Sequence, residues 1–247
     1  MSFTDRVEWG TIDVTADQIG AFARGINYVG SDPHPLYVAK VLIPGSAKIL
    51  MAPQLGVDLQ RMVHAGLRLA FYRELREGGA LSSVAWLDSL DEKESGRLIA
   101  IGIEIRDGDE LVCDGITSYF ERAAKRGNKS APPPPLAGEV VRVETSDDQS
   151  ILYAEGSGDR FPIHTSDDFA RAVGLPGKIM HGMCTLALSV NAAMPDPQAL
   201  KSLECRFANI LLPGASIDVH VVADDSGHRF ECRREDGKAV IVDGRCV

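Results

Sequence analysis

The stretches "GSGDRFPIH" (Gly156–His164) and "GSDPHPLY" (Gly30–Tyr37) are two versions of one short phrase. Each has an aspartate, a proline three positions later and a ring-bearing residue two positions after the proline. The ring-bearing residue is His164 in one stretch and Tyr37 in the other. A phrase that recurs with this spacing indicates that the two halves of the chain follow a common plan.

The sequence around the phrase is repeated as well. "TADQIGAFARG" and "SDDQSILYAEG" start at Thr15 and Ser146, and each has a glutamine three residues after its first residue. This spacing is typical of a capping box at a helix start. "FYRELREGG" from Phe71 resembles "FANILLPGA" from Phe207, and both "RDGDELVCDG" and "EDGKAVIVDG" place Asp-Gly turns around a strand-like run. Three fragments in the same order predict an internal duplication.

The second half predicts a buried helix followed by strands. "GMCTLALSVNAAM" (Gly182–Met194) is apolar on most sides, and Pro195 follows it, so a buried helix is expected there. Four strand-like runs come next, with Gly-containing turns between them: 201–211, 216–223, 228–234 and 239–247. An antiparallel sheet wrapped round one helix accounts for this order. Two such units side by side give an α+β pseudo-dimer.

The first half differs at the central helix. "PGSAKILMAPQLGVD" (Pro44–Asp58) is interpreted as a poor helix that is broken by Pro53. A weakened helix would leave room between helix and sheet. Two interpretations follow and stay open: the first half holds a substrate chain, or it only completes the shared sheet.

The proline run "APPPPLAG" separates the halves, because consecutive prolines continue neither a helix nor a sheet ladder. The predicted units are residues 1–124, a linker over 125–137, and residues 138–247. A net charge of −9 without a basic cluster argues against nucleic acid and anionic membranes as partners. No apolar run has membrane-spanning length, and five cysteines without a C-x-x-C pair are expected to be buried thiols. A cytoplasmic protein is expected.

These residues resemble a known family. Tyr153 and "SGDRFPIH", followed by "FARAVGLPGKIMHGMCTLALS" and "LKSLECRFANILLPGASI", look like the signature of the MaoC-like, R-specific 2-enoyl-CoA hydratases, also called type 2 hydratases. The resemblance covers most of residues 146–247, and the first half is similar to the degenerate amino-terminal repeat of the two-domain members. The resemblance implies an α+β double hot dog fold.

The resemblance also implies a reaction and its residues. Asp159 and His164 would match the catalytic pair, and Gly182 would match the glycine whose backbone N–H stabilises the thioester oxyanion. The implied reaction is reversible hydration of a trans-2-enoyl thioester to a (3R)-3-hydroxyacyl thioester. The acyl group would be carried by CoA or by acyl carrier protein. No metal and no other cofactor is implied, and a homodimer is compatible with exposed sheet edges.

The residue types suit this chemistry. Histidine titrates near neutral pH and can take a proton from water, while aspartate can orient the same water and exchange protons with the substrate. The first N–H groups of a helix are unpaired and favour negative charge, so Gly182 is expected to face the oxyanion. Tyr153, His181 and Met183 are expected at the substrate side of the site, with His181 mainly structural. His64, His220 and His228 are not assigned to the chemistry.

One residue departs from the family pattern: Phe161 stands where the pattern has asparagine. A phenyl ring cannot hydrogen-bond in the site, although Phe161 remains a candidate for substrate binding. Two alternative functions therefore stay open. One is a non-catalytic acyl-thioester-binding protein, and the other is a hot dog thioesterase that hydrolyses the thioester.

Overall fold

Ten strands form one antiparallel sheet in the computed structural model, which describes residues 5–123 and 134–247. Most of the linker predicted over 125–137 lies outside these ranges. The strands of the first half are β1 Val7–Asp13, β2 Met62–Phe71, β3 Ala80–Lys93, β4 Gly96–Asp107 and β5 Glu110–Arg122. Those of the second half are β6 Glu139–Val143, β7 Ser202–Phe207, β8 Ile217–Asp224, β9 Gly227–Arg234 and β10 Ala239–Cys246.

The strand order supports the predicted duplication. The order is β1-β3-β4-β5-β2 in the first half and, in reverse, β7-β10-β9-β8-β6 in the second, so each strand has a counterpart. The halves meet where β2 pairs with β7, with Leu69 opposite Leu203. The sequence predicts two sheets side by side. In the structure, strands β2 and β7 pair at their edges and join the two sheets into one. The edge strands β1 and β6 were not anticipated from the sequence.

Six helices are seen in the described ranges. They are α1 Ala16–Gly25, α2 Ala39–Leu50, α3 Gln149–Ser157, α4 Pro162–Thr165, α5 Asp167–Ala172 and α6 Gly182–Ala193. The repeated phrase forms equivalent structures, because a 3₁₀ helix over Pro35–Val38 matches α4. Helix α6 is confirmed, ending one residue before the predicted Met194. None of these helices is long and apolar enough to cross a membrane.

The prediction of a poor first-half helix over Pro44–Asp58 is wrong. Helix α2 is continuous through Pro44 and ends at Leu50, before Pro53. Proline removes one backbone hydrogen bond from a helix, but Val41, Leu42 and Ile49 are buried on the helix face that packs against the sheet. Tertiary packing supplies most of the stability of a protein helix and outweighs the local defect.

Local predictions hold with small shifts in position. Thr15 caps α1 by accepting a hydrogen bond from the Gln18 N–H, as the capping box predicts. In the second copy the Gln149 side chain bonds back to the Ser146 N–H, but the helix itself starts at Gln149. The second Asp-Gly pair of each DG fragment is also corrected: Gly115 and Gly244 lie inside β5 and β10, not in turns.

The two copies contact each other most closely where α1 crosses α3. A Cβ atom on Gly25 would lie 2.7 Å from the Tyr153 Cα atom, and one on Gly156 would lie 2.6 Å from the Phe22 Cα atom. The rings of Phe22 and Tyr153 pack with centroids 5.6 Å apart. These residues occupy matching places in the two repeats. The crossing is therefore a pseudo-twofold contact that requires glycine on both helices.

Replacing Gly25 by alanine is expected to lower the free energy of unfolding by about 1–3 kcal/mol, because the backbone opposite cannot move aside cheaply. Gly20→Ala is the matched control in the same helix, where the new Cβ would meet only the Arg24 guanidinium at 3.6 Å. The control should be neutral or stabilising, since alanine favours helix over glycine by about 1 kcal/mol. Urea unfolding of both variants checks this, and equal stability would contradict it.

His34 links the loop of the first copy to α6 of the second. It is 1% exposed; its Nδ1 accepts from the Leu36 N–H, and its Nε2–H donates to the Asn191 Oδ1 at 3.0 Å. The Asn191 amide donates in turn to the Ile26 carbonyl. Burial lowers the pKa of His34 to about 4, and the bond to Asn191 offsets only part of this effect.

Acid should destabilise the protein through this histidine. The unfolded chain binds the proton below about pH 6.5, whereas the folded protein resists it until about pH 4, so stability falls as pH falls across this window. The loss is on the order of 3 kcal/mol. His34→Asn keeps a capping oxygen and removes the titration. Urea unfolding at several pH values should show a smaller acid-dependent loss in this variant. An unchanged loss would contradict the prediction.

Candidate active site

The repeated phrase of the second half places Asp159 and His164 on one short loop. Helix α3 ends at Ser157, and the next residue, Gly158, turns the chain in the left-handed region with a φ of +82°. The Asp159 carboxylate then accepts a hydrogen bond from the Phe161 N–H at 3.2 Å, and Pro162 starts α4. His164 lies in α4, one turn later. The hydrogen bond from the Phe161 N–H to the Asp159 carboxylate and the rigid backbone of Pro162 therefore hold both side chains at the same end of α3.

His164 and His181 stack face to face beside Asp159. Their ring centroids are 3.8 Å apart with an interplanar angle of 23°. Potential ligand atoms of Asp159, His164 and His181 all lie within 4.8 Å of one another. The structure therefore brings together the two residues predicted as the catalytic pair and adds His181 to them.

Hydrogen bonds define the proton positions on both imidazoles. His164 Nδ1 donates to the Ile179 carbonyl at 2.9 Å, so the neutral ring carries its lone pair on Nε2. His181 Nε2 donates to the Asp159 carbonyl at 2.9 Å, which leaves the lone pair on Nδ1. Burial lowers the pKa of His164, while the Asp159 carboxylate raises it in part. Burial and the neighbouring His164 lower the pKa of His181 well below its usual range.

The backbone of Gly182 lies at the start of α6. Gly182 is the first residue of the helix, and its N–H belongs to the unpaired first turn. A Cβ atom at this position would lie 3.2 Å from Cε1 of Phe207. Glycine thus avoids a tight contact with the phenyl ring at the helix start, where the unpaired N–H and the positive end of the helix dipole favour a negatively charged oxygen atom.

The other predicted site residues divide into buried and exposed ones. Tyr153, His181 and Met183 are buried, and the Tyr153 ring packs 4.8 Å from the His181 ring. Phe161 is 40% exposed, and its ring contacts the edge of Phe169. The phenyl side chain therefore points out of the loop, while its backbone N–H still holds Asp159. A substrate-binding role for these four residues stays a prediction.

The first copy has no comparable pair. Asp32 is exposed, and Tyr37, which occupies the histidine position, is fully buried. The Tyr37 hydroxyl donates to Gln18 Oε1 at 3.0 Å, and its ring packs against Phe22. The tyrosine has become part of the core.

Sequence reasoning missed three rings beside the site, which we call the aromatic wall: Phe207, His64 and Tyr119. His64 packs 4.6 Å from Phe207 and stacks on Tyr119 at 4.9 Å with an angle of 13°. Its Nε2 lies 2.8 Å from Thr117 Oγ1. The only signal in the sequence was that Phe207 and Phe71 match between the repeats, and this signal does not point to His64.

The grouping of Asp159, His164 and His181 also raises the question of a metal ion. Nitrogen lone pairs lie in the plane of an imidazole ring. Because the two rings are stacked with centroids 3.8 Å apart, their lone pairs lie in two separate and nearly parallel planes, whereas the lone pairs of zinc ligands converge on one point. This arrangement does not fit a shared metal ion.

A family model and several curated proteins are similar to this chain. A family model described as "MaoC like domain" matches residues 134–243. The peroxisomal multifunctional enzyme type 2 of Drosophila melanogaster is 30% identical over 212 residues, which cover 76% of this chain and 34% of that protein. The peroxisomal enoyl-CoA hydratase 2 of Arabidopsis thaliana is 26% identical over 209 residues, covering 74% of this chain and 67% of the relative. The chain thus spans about a third of the multifunctional enzyme.

A crystal structure of a MaoC-like dehydratase from Phytophthora capsici superposes with a TM-score of 0.81. It is 21% identical, and the match covers 99% of this chain and 95% of the other. The shared fold is the expected double hot dog, with α2 and α6 as the two central helices.

Proposed function

Because residues 134–243 are a MaoC-like domain, we propose that the chain is a hydro-lyase that adds water across the double bond of a trans-2-enoyl thioester. The observation that carries the proposal is the Asp159–His164 pair at the end of α3, with the Gly182 N–H at the start of α6. A relative is named enoyl-CoA hydratase 2, and another is named 3-hydroxyacyl-thioester dehydratase X. The first name describes the addition of water to the double bond, and the second describes its removal, which is the same reaction in the opposite direction.

Each residue has a separate task. His164 Nε2 carries the lone pair that takes a proton from water, because Nδ1 donates to the Ile179 carbonyl. The oxygen of this water attacks C3 of the enoyl group. The electron pair of the double bond moves onto the thioester oxygen, where the Gly182 N–H and the helix dipole stabilise the negative charge.

Protonation of C2 completes the addition. Asp159 holds the same water from the side opposite His164. The proton that His164 took from the water is passed through the Asp159 carboxylate to C2 as the enolate collapses, which leaves His164 neutral and Asp159 ionised again. The net change is OH on C3 and H on C2, and no electron acceptor is needed. Water on the Asp159–His164 face gives the (3R)-3-hydroxyacyl product. The acyl carrier is CoA or acyl carrier protein, and the acyl chain extends toward the first half.

A spectrophotometric assay with trans-2-enoyl-CoA tests the proposal. Loss of the conjugated-thioester absorbance without release of free thiol, together with a (3R) product, is the expected result. Release of free thiol would instead support a thioesterase. Binding without any turnover, with either CoA or carrier-protein esters, would support a non-catalytic acyl-thioester-binding protein.

A further inference from the structure

We infer that the aromatic wall limits the acyl group to a short chain, so that this protein acts on short 2-enoyl thioesters. The inference rests on the proposed function and concerns the substrate class of the same site. It starts from the three rings defined above, which lead from the oxyanion glycine into the first half.

The acyl group must pass Phe207 and His64. With the thioester oxygen on the Gly182 N–H, the phenyl ring of Phe207 is the first side chain beside the substrate. The His64 ring follows at 4.6 Å from Phe207. The centroid separation of 4.6 Å by itself corresponds to about four bonds of an extended chain, since three backbone bonds span at most about 3.6 Å. An acyl group of on the order of four to six carbons therefore reaches past these two rings.

Solvent access stops at the next ring. Gly182, Phe207 and His64 each keep part of their surface accessible, as do Asp159 and His164. Tyr119 is only 8% exposed, and Thr117 is fully buried. The accessible path therefore ends between His64 and Tyr119.

The space behind the wall is occupied. Tyr119 belongs to an apolar cluster with Ile49 and Leu50 of α2 and with Ile99 and Ile101 of β4. These four aliphatic side chains are between 0% and 5% exposed. Because α2 is a complete helix, its side chains fill the interior that a broken helix would have left open. A long chain can enter only by displacing packed side chains, which is costly at the density of a protein core.

Hydrogen bonds keep the wall in place. His64 is held through Nε2 by Thr117 Oγ1 at 2.8 Å, and its ring stacks on Tyr119 with centroids 4.9 Å apart. Burial lowers the pKa of His64 to about 4 and raises the pKa of Tyr119 to about 12, with the Asp159 carboxylate contributing to the latter. Both side chains are therefore neutral near pH 7 and act as a fixed surface.

A chain-length series tests the inference. Trans-2-enoyl-CoA esters of about four to about sixteen carbons are offered to the wild type, and kcat/KM is compared. We expect the best value at about four to six carbons and a fall of at least about tenfold by ten carbons, since one methylene too many in a tight pocket changes selectivity by about 10–200-fold. Equal or rising values with length would overturn the inference and leave the proposed function standing.

Variants of His64 test whether the aromatic wall selects the chain length or only supports the fold. His64→Ala should raise the ratio of kcat/KM for ten carbons over four carbons by about tenfold. His64→Gln should shift the ratio in the same direction. Because glutamine keeps a hydrogen-bond partner for Thr117, this variant is the one to assay if His64→Ala does not fold. His220→Ala on β8 is the matched histidine control. An unchanged ratio in folded His64 variants would overturn the inference. Absence of turnover on every ester would overturn both proposals.

Discussion

Replacing Asp159 by alanine should reduce turnover of an enoyl thioester by at least about a thousandfold. General acid–base groups contribute about 10²–10⁴-fold each, and Asp159 both orients the water and delivers the proton to C2. The loop should survive the change, because Gly158 and Pro162 still shape it and the Asp159 carbonyl still accepts from His181. The measurement is the rate of loss of enoyl absorbance under saturating substrate.

The control for this prediction is Asp168→Ala. Asp168 lies in α5 close along the chain, and its side chain is fully exposed. Its loss should leave kcat within about twofold, because exposed charges contribute little. Binding of a saturated acyl-CoA should persist in Asp159→Ala. Substantial turnover by Asp159→Ala would remove this residue from the mechanism and favour an alternative acid, with His164→Ala as the next variant to assay.

The Gly182→Pro variant is expected to lose about 10²–10³-fold in kcat relative to Gly182→Ala. Both substitutions place a Cβ atom 3.2 Å from Phe207, so both disturb the phenyl ring to a similar degree. Only proline removes the N–H. Loss of one oxyanion donor typically reduces kcat by this factor.

Proline is compatible with this position in the helix. The first residue of a helix makes no backbone hydrogen bond through its N–H, and proline is common there. The preceding His181 has φ −66° and ψ 138°, the extended conformation that a residue before proline adopts. Thermal unfolding of both variants shows whether the fold is kept. Equal kcat values for the two folded variants would show that the Gly182 N–H does not stabilise the oxyanion.

Much of the fold could be predicted because its signals are local. Thr15 and Gln18 cap a helix within one turn, and the strand-like runs after residue 200 are separated by Gly-containing turns. The paired phrases revealed the duplication, and the mirrored strand order supports it. The Asp159–His164 pair was visible for the same reason, since five residues and one proline determine their relative position.

Other features could not be predicted from local signals. The sequence of α2 contains Pro44 and has only a weak helical periodicity. The helix nevertheless forms, because its apolar face packs on β3 and β4. His34 looks like any loop histidine until Asn191, 157 residues away, is placed beside it. The requirement for glycine at Gly25 exists only because α3 crosses α1 there.

By itself, therefore, the sequence determined the two-copy plan, the central helix of the second half and the loop that carries Asp159 and His164. Capping, turns and side-chain periodicity act within about ten residues, so they can be recognised without the fold. The tertiary structure alone decided the stacking of His181 on His164 and the position of His64 beside Phe207. Those contacts depend on the pairing of β2 with β7 and on helix packing, which join residues that are distant along the chain.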